Sequence, residues 1–182
     1  MQWNFYLSGI LYGKFYVKDN DIFVEKLDAA KGIWYPKETF TEESDDFFKK
    51  LCSRSLLDFF KNKKEYEEKI SEGADEFTAS SGETFSNRRN EVYFQRQKKF
   101  PKDLFYDEDG IYAVLMSGRD FAAVLVKNGE EDRTILSRWK KAFPEPPAAV
   151  NFLGTFFVDT RDGEKLATDV YLPKGEAYKE QK

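Results

Sequence analysis

Residues 104–139, LFYDEDGIYAVLMSGRDFAAVLVKNGEEDRTILSRW, decide the fold. Four apolar runs, at 104–107, 111–116, 121–126 and 134–139, are separated by the turn dipeptides Asp109-Gly110, Ser117-Gly118 and Asn128-Gly129. Short runs punctuated in this way predict four strands of an antiparallel meander, with Asn128-Gly129 its firmest turn. Ile111 to Met116 and Phe121 to Val126 are apolar at nearly every position, so both of their faces need cover. They are expected at the centre of a sheet, packed on a helix.

That helix is predicted upstream, over residues 41–60. Phe48, Cys52, Leu56 and Phe60 recur every fourth residue, flanked by Phe47, Leu51 and Phe59, which makes one wide apolar stripe. Thr41 or Ser44 can cap its start, and Glu42, Glu43, Asp45 and Asp46 suit the positive end of the helix dipole. These acids therefore have a structural use, and no catalytic pair or metal site is assigned to them. Residues 61–73 read as an exposed helical turn or two ending at Gly73, and residues 71–90 as a long mobile loop. Nearer the N-terminus, residues 3–17 alternate around Ser8-Gly9 as two strands, with further strands at 22–27 and 32–35. Asp19-Asn20-Asp21 lacks the spaced ligands and closing Glu of a calcium loop and reads as a turn.

Residues 92–100 mix Val92, Tyr93, Phe94 and Phe100 with Arg96, Lys98 and Lys99, just after Arg88-Arg89. Such interleaving can serve single-strand binding. With 29 basic residues against 33 acidic, a net charge of -4, a strand with a solvated basic face is the expectation, and no nucleic-acid partner is assigned.

The fold class is thus α+β: an antiparallel meander sheet packed on one principal helix, followed by a C-terminal hairpin. Pro144, Pro146 and Pro147 favour an extended linker. The expected organisation is a module at 1–143, a Pro-rich linker at 144–150, a hairpin at 151–173 and a tail at 174–182. In the hairpin, NFLGTFFVDTRDGEKLATDVYLP, apolar residues alternate through Phe152, Phe156 and Val158, break at Asp162-Gly163, and resume through Leu166, Val170 and Leu172 up to Pro173. One face is therefore expected to carry Phe152, Gly154, Phe156 and Val158.

Within that hairpin the pattern R-D-G-x-x-L-A-T-D-V-Y-x-P, carried by Arg161, Asp162, Gly163, Leu166, Ala167, Thr168, Asp169, Val170, Tyr171 and Pro173, resembles the opening hairpin of the catalytic domain in the CocE/NonD and X-Pro dipeptidyl-peptidase family of serine hydrolases. The resemblance covers this stretch and nothing before it. In that family these are framework residues. The resemblance implies that an α/β-hydrolase sheet follows, with its serine elbow, aspartate and histidine, and that the parent cleaves esters or peptides.

Composition limits the chemistry. The 182 residues include no histidine, so no serine or cysteine nucleophile can be paired with a histidine base, and the usual zinc site is excluded. No G-x-S-x-G elbow, phosphate loop or paired C-x-x-C occurs. Ser137-Arg138-Trp139-Lys140 matches S-x-x-K without its companion motifs and is given no role. No catalytic, cofactor-binding or metal-ligating residue is assigned. The single cysteine, Cys52, falls on the apolar helix face. No signal peptide or membrane span is read at the N-terminus, and a cytoplasmic protein is expected. The expectation is a non-catalytic N-terminal portion of a CocE/NonD-like hydrolase, whose partner is the hydrolase domain or another copy of the chain, met through residues 151–173, with a homodimer as one outcome. The alternative is a complete α+β binding or protein-interaction module.

Overall fold

The computed structural model describes residues 1–19, 21–95, 101–119, 121–142 and 150–173. The chain divides into two units, Met1–Ala142 and Phe143–Lys182. The first is a sheet-dominated α+β unit. An N-terminal meander, β1 (Gln2–Leu7), β2 (Ile10–Lys18), β3 (Asp21–Asp28) and β4 (Ile33–Trp34), is followed by a short β5 (Glu38–Thr39) and by the helices α1 (Glu42–Cys52) and α2 (Leu56–Ser71). A second meander comprises β6 (Glu76–Thr78), β7 (Thr84–Arg89), β8 (Val92–Gln95), β9 (Lys102–Asp107), β10 (Gly110–Ser117) and β11 (Ala122–Lys127). A 3₁₀ turn at Glu131–Arg133 leads into α3 (Leu136–Ala142).

The strand order is β4-β3-β2-β1-β11-β10-β9-β8-β7-β6, with β5 on β3. Neighbours within each meander are consecutive in sequence; the exception is β1 against β11, in the antiparallel register Trp3 to Lys127 through Leu7 to Ala123. The first strand of one meander thus closes on the last strand of the other. β10 and β11 lie mid-sheet, as their unbroken apolar runs predict.

Both faces of these central strands are buried, against different cover. Ala123 and Leu125 of β11 join a core with Trp3, Phe5, Phe15, Phe48, Leu56, Phe59, Tyr66 and Phe85, to which α1 and α2 contribute. Val124 and Val126, at alternate positions, join a second cluster with Tyr112, Ala113 and Leu136, where Ile135 and Trp139 of the α3 region pack. The first core is a chain of aromatic contacts: the Phe48 ring lies 5.2 Å from Phe5 and 5.0 Å from Phe15, and Tyr66 lies 5.2 Å from Phe85. Burying each such side chain stabilises the fold by about 1.5–3 kcal/mol. Close approach of α1 to β2 requires Gly13, since a Cβ there would stand 2.7 Å from the Phe48 ring.

Four expectations are corrected. Residues 134–139 are not a strand: Thr134 Oγ1 accepts from the Leu136 N–H at 3.2 Å and α3 follows. The β11 edge on which a fourth strand would pair is already taken by β1. The principal helix is two helices: Ser53 takes φ 54 and ends α1, and Ser55 caps α2 by accepting from Asp58 N. The every-fourth-residue stripe runs across this break because both helices cover the same core. Residues 61–71 are not a separate exposed turn but the continuation of α2, with Tyr66 fully buried. Residues 71–90 are not a loop, since most of them form the β6–β7 hairpin, held by Phe77 stacked on Phe85 at 5.3 Å.

The second unit is described by its hairpin, β12 (Val150–Asp159) and β13 (Lys165–Pro173). Asp159 pairs with Lys165, Phe157 with Ala167 and Thr155 with Asp169, until the register shifts between Phe152 and Gly154. The Pro-rich stretch 144–149 and the tail 174–182 lie outside the described residues.

Candidate functional site

The hairpin places apolar side chains on both of its faces. Phe156, Val158 and Leu166 occupy one, and Phe157 and Ala167 the other, since directly paired residues point to the same side. At Gly154 the chain takes φ +126, a conformation that side chains rarely adopt, and a β-bulge results. The bulge shifts the alternation by one residue. Phe152 therefore does not share a face with Phe156, as the simple alternation predicts; it pairs with Tyr171, ring centroids 5.0 Å apart, on the side of Thr155 and Phe157. Phe152, Leu153, Phe156, Phe157, Val158, Leu166 and Tyr171 are between 50% and 71% exposed. Among the polar side chains, Thr155 Oγ1 donates to Asp169 Oδ1 at 2.6 Å, and Thr160 Oγ1 caps the turn through the Glu164 carbonyl at 2.9 Å.

A buried charge cluster lies within the first unit. Glu83, in the β6–β7 turn, accepts from Lys102 Nζ of β9 at 2.5 Å and from Gln95 Nε2 of β8 at 3.2 Å on one oxygen, and from the Tyr66 hydroxyl of α2 at 2.5 Å on the other. Lys102 is 5% exposed and sits 5.6 Å from the Phe85 ring centroid. Burial lowers the pKa of its ammonium from the usual lysine range, with Glu83 opposing the shift. Burial works to raise the Glu83 carboxyl, but the Lys102 charge and the Tyr66 hydroxyl outweigh it and hold it below its ordinary value. Burial and the Glu83 carboxylate together push the Tyr66 phenol far up. The cluster fastens α2 to the β6–β7 turn and to two strands, β8 and β9. Nothing in the sequence pointed to it, because Glu83, Gln95 and Lys102 are far apart and each is ordinary in its local context.

A groove of about 360 Å³ lies on the sheet face that α3 covers, with Phe105, Ala113, Leu115 and Val124 as its floor and Arg133, Thr134, Ser137 and Arg138 among its walls. Arg133 is held there by Asp107 at 2.7 Å and Glu130 at 2.9 Å, over the Tyr112 ring at 3.8 Å. Its guanidinium is thereby neutralised by two carboxylates. Ser137 donates to the Thr134 carbonyl at 3.0 Å, a helix-start contact, while the Lys140 side chain lies outside the described residues.

The acids at the start of α1 do structural work, as expected, and one does more. Asp45 is fully buried and accepts from Ser55 Oγ at 2.6 Å, Leu56 N at 2.9 Å and Leu57 N at 3.2 Å, so it caps the second helix from within the first. Cys52 donates to the Phe48 carbonyl at 3.3 Å, and burial raises its thiol to about 12. Arg88 lies 4.3 Å over Phe94; Arg96, Lys98, Lys99 and Phe100 lie outside the described residues. Among the described residues no group of three or more Cys, Asp or Glu side chains is placed to hold a metal ion, and no helix is long and apolar enough to cross a membrane. Set against protein-family models, curated proteins and solved structures, the chain matches none of them.

Proposed function

We propose that this chain is the non-catalytic N-terminal portion of a CocE/NonD-like serine hydrolase, and that its hairpin, β12–β13, is completed by the α/β-hydrolase sheet of that parent protein. The carrying observation is the exposure of apolar side chains on both hairpin faces. A two-stranded ribbon is marginal in water, and strands apolar on both sides belong inside a layered sheet. The pattern from Arg161 to Pro173 supplies the hydrolase assignment by resemblance. In this reading residues 1–142 orient or cover the hydrolase domain, the sequence's lack of histidine is why catalysis is left to that domain, and hydrolysis of an ester or peptide belongs to the parent. The test is the coding sequence that follows Lys182. A serine elbow and a histidine in the same frame support the assignment, and a stop codon without them removes it.

A second reading, a self-sufficient binding module, is favoured by the groove over Phe105, Ala113, Leu115 and Val124, whose volume is within the range of small-molecule sites. Chemical-shift changes confined to those residues on screening small apolar ligands support this reading, and shifts confined to residues 150–173 on adding a hydrolase domain support the first.

A further inference from the structure

The two edges of the hairpin are not equivalent. β12 carries the bulge at Leu153 and the positive-φ Gly154, which twist its outer edge and interrupt its ladder. β13 pairs residue by residue from Lys165 to Val170 and meets proline only at its last position. A partner strand therefore finds its regular template on β13. The phase of that edge follows from the turn, where Thr160 N donates to the Glu164 carbonyl at 2.9 Å and makes a hydrogen-bonded pair. Because hydrogen-bonded and non-hydrogen-bonded pairs alternate along an antiparallel ladder, Lys165, Ala167 and Asp169 turn their N–H and C=O groups away from β12.

A second copy can meet this edge only with those outward residues opposite one another, and charge then selects among the registers. Centred on Ala167, the pairing sets Lys165 opposite Asp169 of the second copy, and by symmetry does so twice. Centred on Thr168, it sets Asp169 opposite Ala167; centred on Asp169, it sets two carboxylates face to face, which is unfavourable. Both charged side chains are exposed, and Asp169 keeps its second oxygen beyond the bond from Thr155. We propose that the β13 edge joins β13 of a second copy of this chain, antiparallel and centred on Ala167, making a four-stranded sheet ordered β12-β13-β13-β12. Four strands pass the size at which a small sheet holds together, and the two-fold axis normal to the sheet joins like faces, placing Phe157 and Tyr171 of both copies on one side. The inference rests on the reading of the hairpin as an interaction element and names the partner it takes in the absence of a hydrolase sheet.

The test is a charge exchange read by light scattering on the full chain. Lys165→Glu and Asp169→Lys, each alone, weaken the dimer about tenfold, because two attractive cross-strand pairs become repulsive. An equimolar mixture of the two variants recovers the affinity: in the mixed dimer the introduced glutamate of one chain faces the introduced lysine of the other, and the unchanged Asp169 still faces the unchanged Lys165. Recovery on mixing also shows that neither variant is misfolded. Ala167→Cys forms an intermolecular disulfide under mild oxidation, with Cys52 buried and silent. A wild-type chain that is monomeric at the highest concentration it tolerates overturns the inference, as does a dimer indifferent to both reversals. Neither outcome bears on the coding sequence after Lys182, which decides the hydrolase assignment separately.

Discussion

β10–β11 and β12–β13 are both antiparallel pairs that carry apolar side chains on each face, and they end in opposite environments. Val and Leu recur in both, although the hairpin has more aromatic side chains and sets Thr155, Lys165 and Asp169 on the face of Phe157. In β10–β11 those faces are buried, one under α1 and α2 and the other under the α3 region, and Val114, Val124, Leu125 and Val126 are at most 1% exposed. In β12–β13 the equivalent positions are exposed, with Phe157 at 71%. Strand character is a local property; burial is decided by what lies next to the strand. The contrast separates strands whose apolar faces are covered from strands whose apolar faces are not.

The contrast breaks most visibly at the core. Phe59→Ala is expected to lower stability by about 3–5 kcal/mol, since the ring is buried, 5.7 Å from Trp3 and 5.4 Å from Phe60, and its loss leaves a cavity in the aromatic core. Urea denaturation checks it, and a loss below about 1 kcal/mol makes that core plastic. Glu83→Gln is expected to cost about 3–5 kcal/mol, because it leaves the Lys102 ammonium buried without its counter-charge. Replacing both, as Glu83→Gln with Lys102→Met, should recover most of that loss, and failure to recover would mean that Tyr66 and Gln95 depend on the carboxylate more than Lys102 does.

A smaller effect is expected at Asp45. Asp45→Ala removes three hydrogen bonds at the α1–α2 junction and should cost about 1–2 kcal/mol in thermal or urea unfolding. The pH dependence follows from Glu83, whose carboxyl is held below its ordinary value in the folded state. The unfolded chain takes up that proton first as pH falls, so the stabilisation is full above the ordinary glutamate range of about 4.3 and is lost as pH drops through the lower folded value. The urea midpoint of the wild type should fall in that window, and Glu83→Gln should flatten the slope. The smallest effect belongs to the open region: Phe157→Ala is expected to change the unfolding of residues 1–142 by less than about 0.5 kcal/mol. A larger change would mean that the hairpin supports that unit.

Much of the fold was legible from local pattern. The turn dipeptides, the two-faced apolar runs of β10 and β11, the N-terminal meander and the closing hairpin are all readable because period and glycine placement report backbone geometry directly. The misreadings share one cause. The helical stripe through Phe48, Cys52, Leu56 and Phe60 looks continuous because both helices address one core, so only Ser53 in the left-handed region shows the break. Residues 134–139 read as a strand until β1 is seen on the edge they would have used. Phe152 changes face because a single bulge residue shifts the phase, and Gly154 was the only available hint. The charge cluster was not legible at all, since Tyr66, Glu83, Gln95 and Lys102 converge only when α2, the β6–β7 turn and two strands are assembled.

By itself, then, the sequence determined the N-terminal strands, the central strands β9 to β11 and the closing hairpin, that the middle of the sheet needs cover on both faces, and that histidine chemistry is outside the reach of these 182 residues. Only the tertiary structure decided that the two meanders close through β1 and β11, that the central strands receive different cover on each side, and that buried charge joins α2 to the sheet. The reason is physical: dihedral preference and hydrophobic period act over a few neighbouring residues, whereas pairing, burial and the desolvation of charge depend on groups brought together from distant parts of the chain, as when Trp3 meets Lys127.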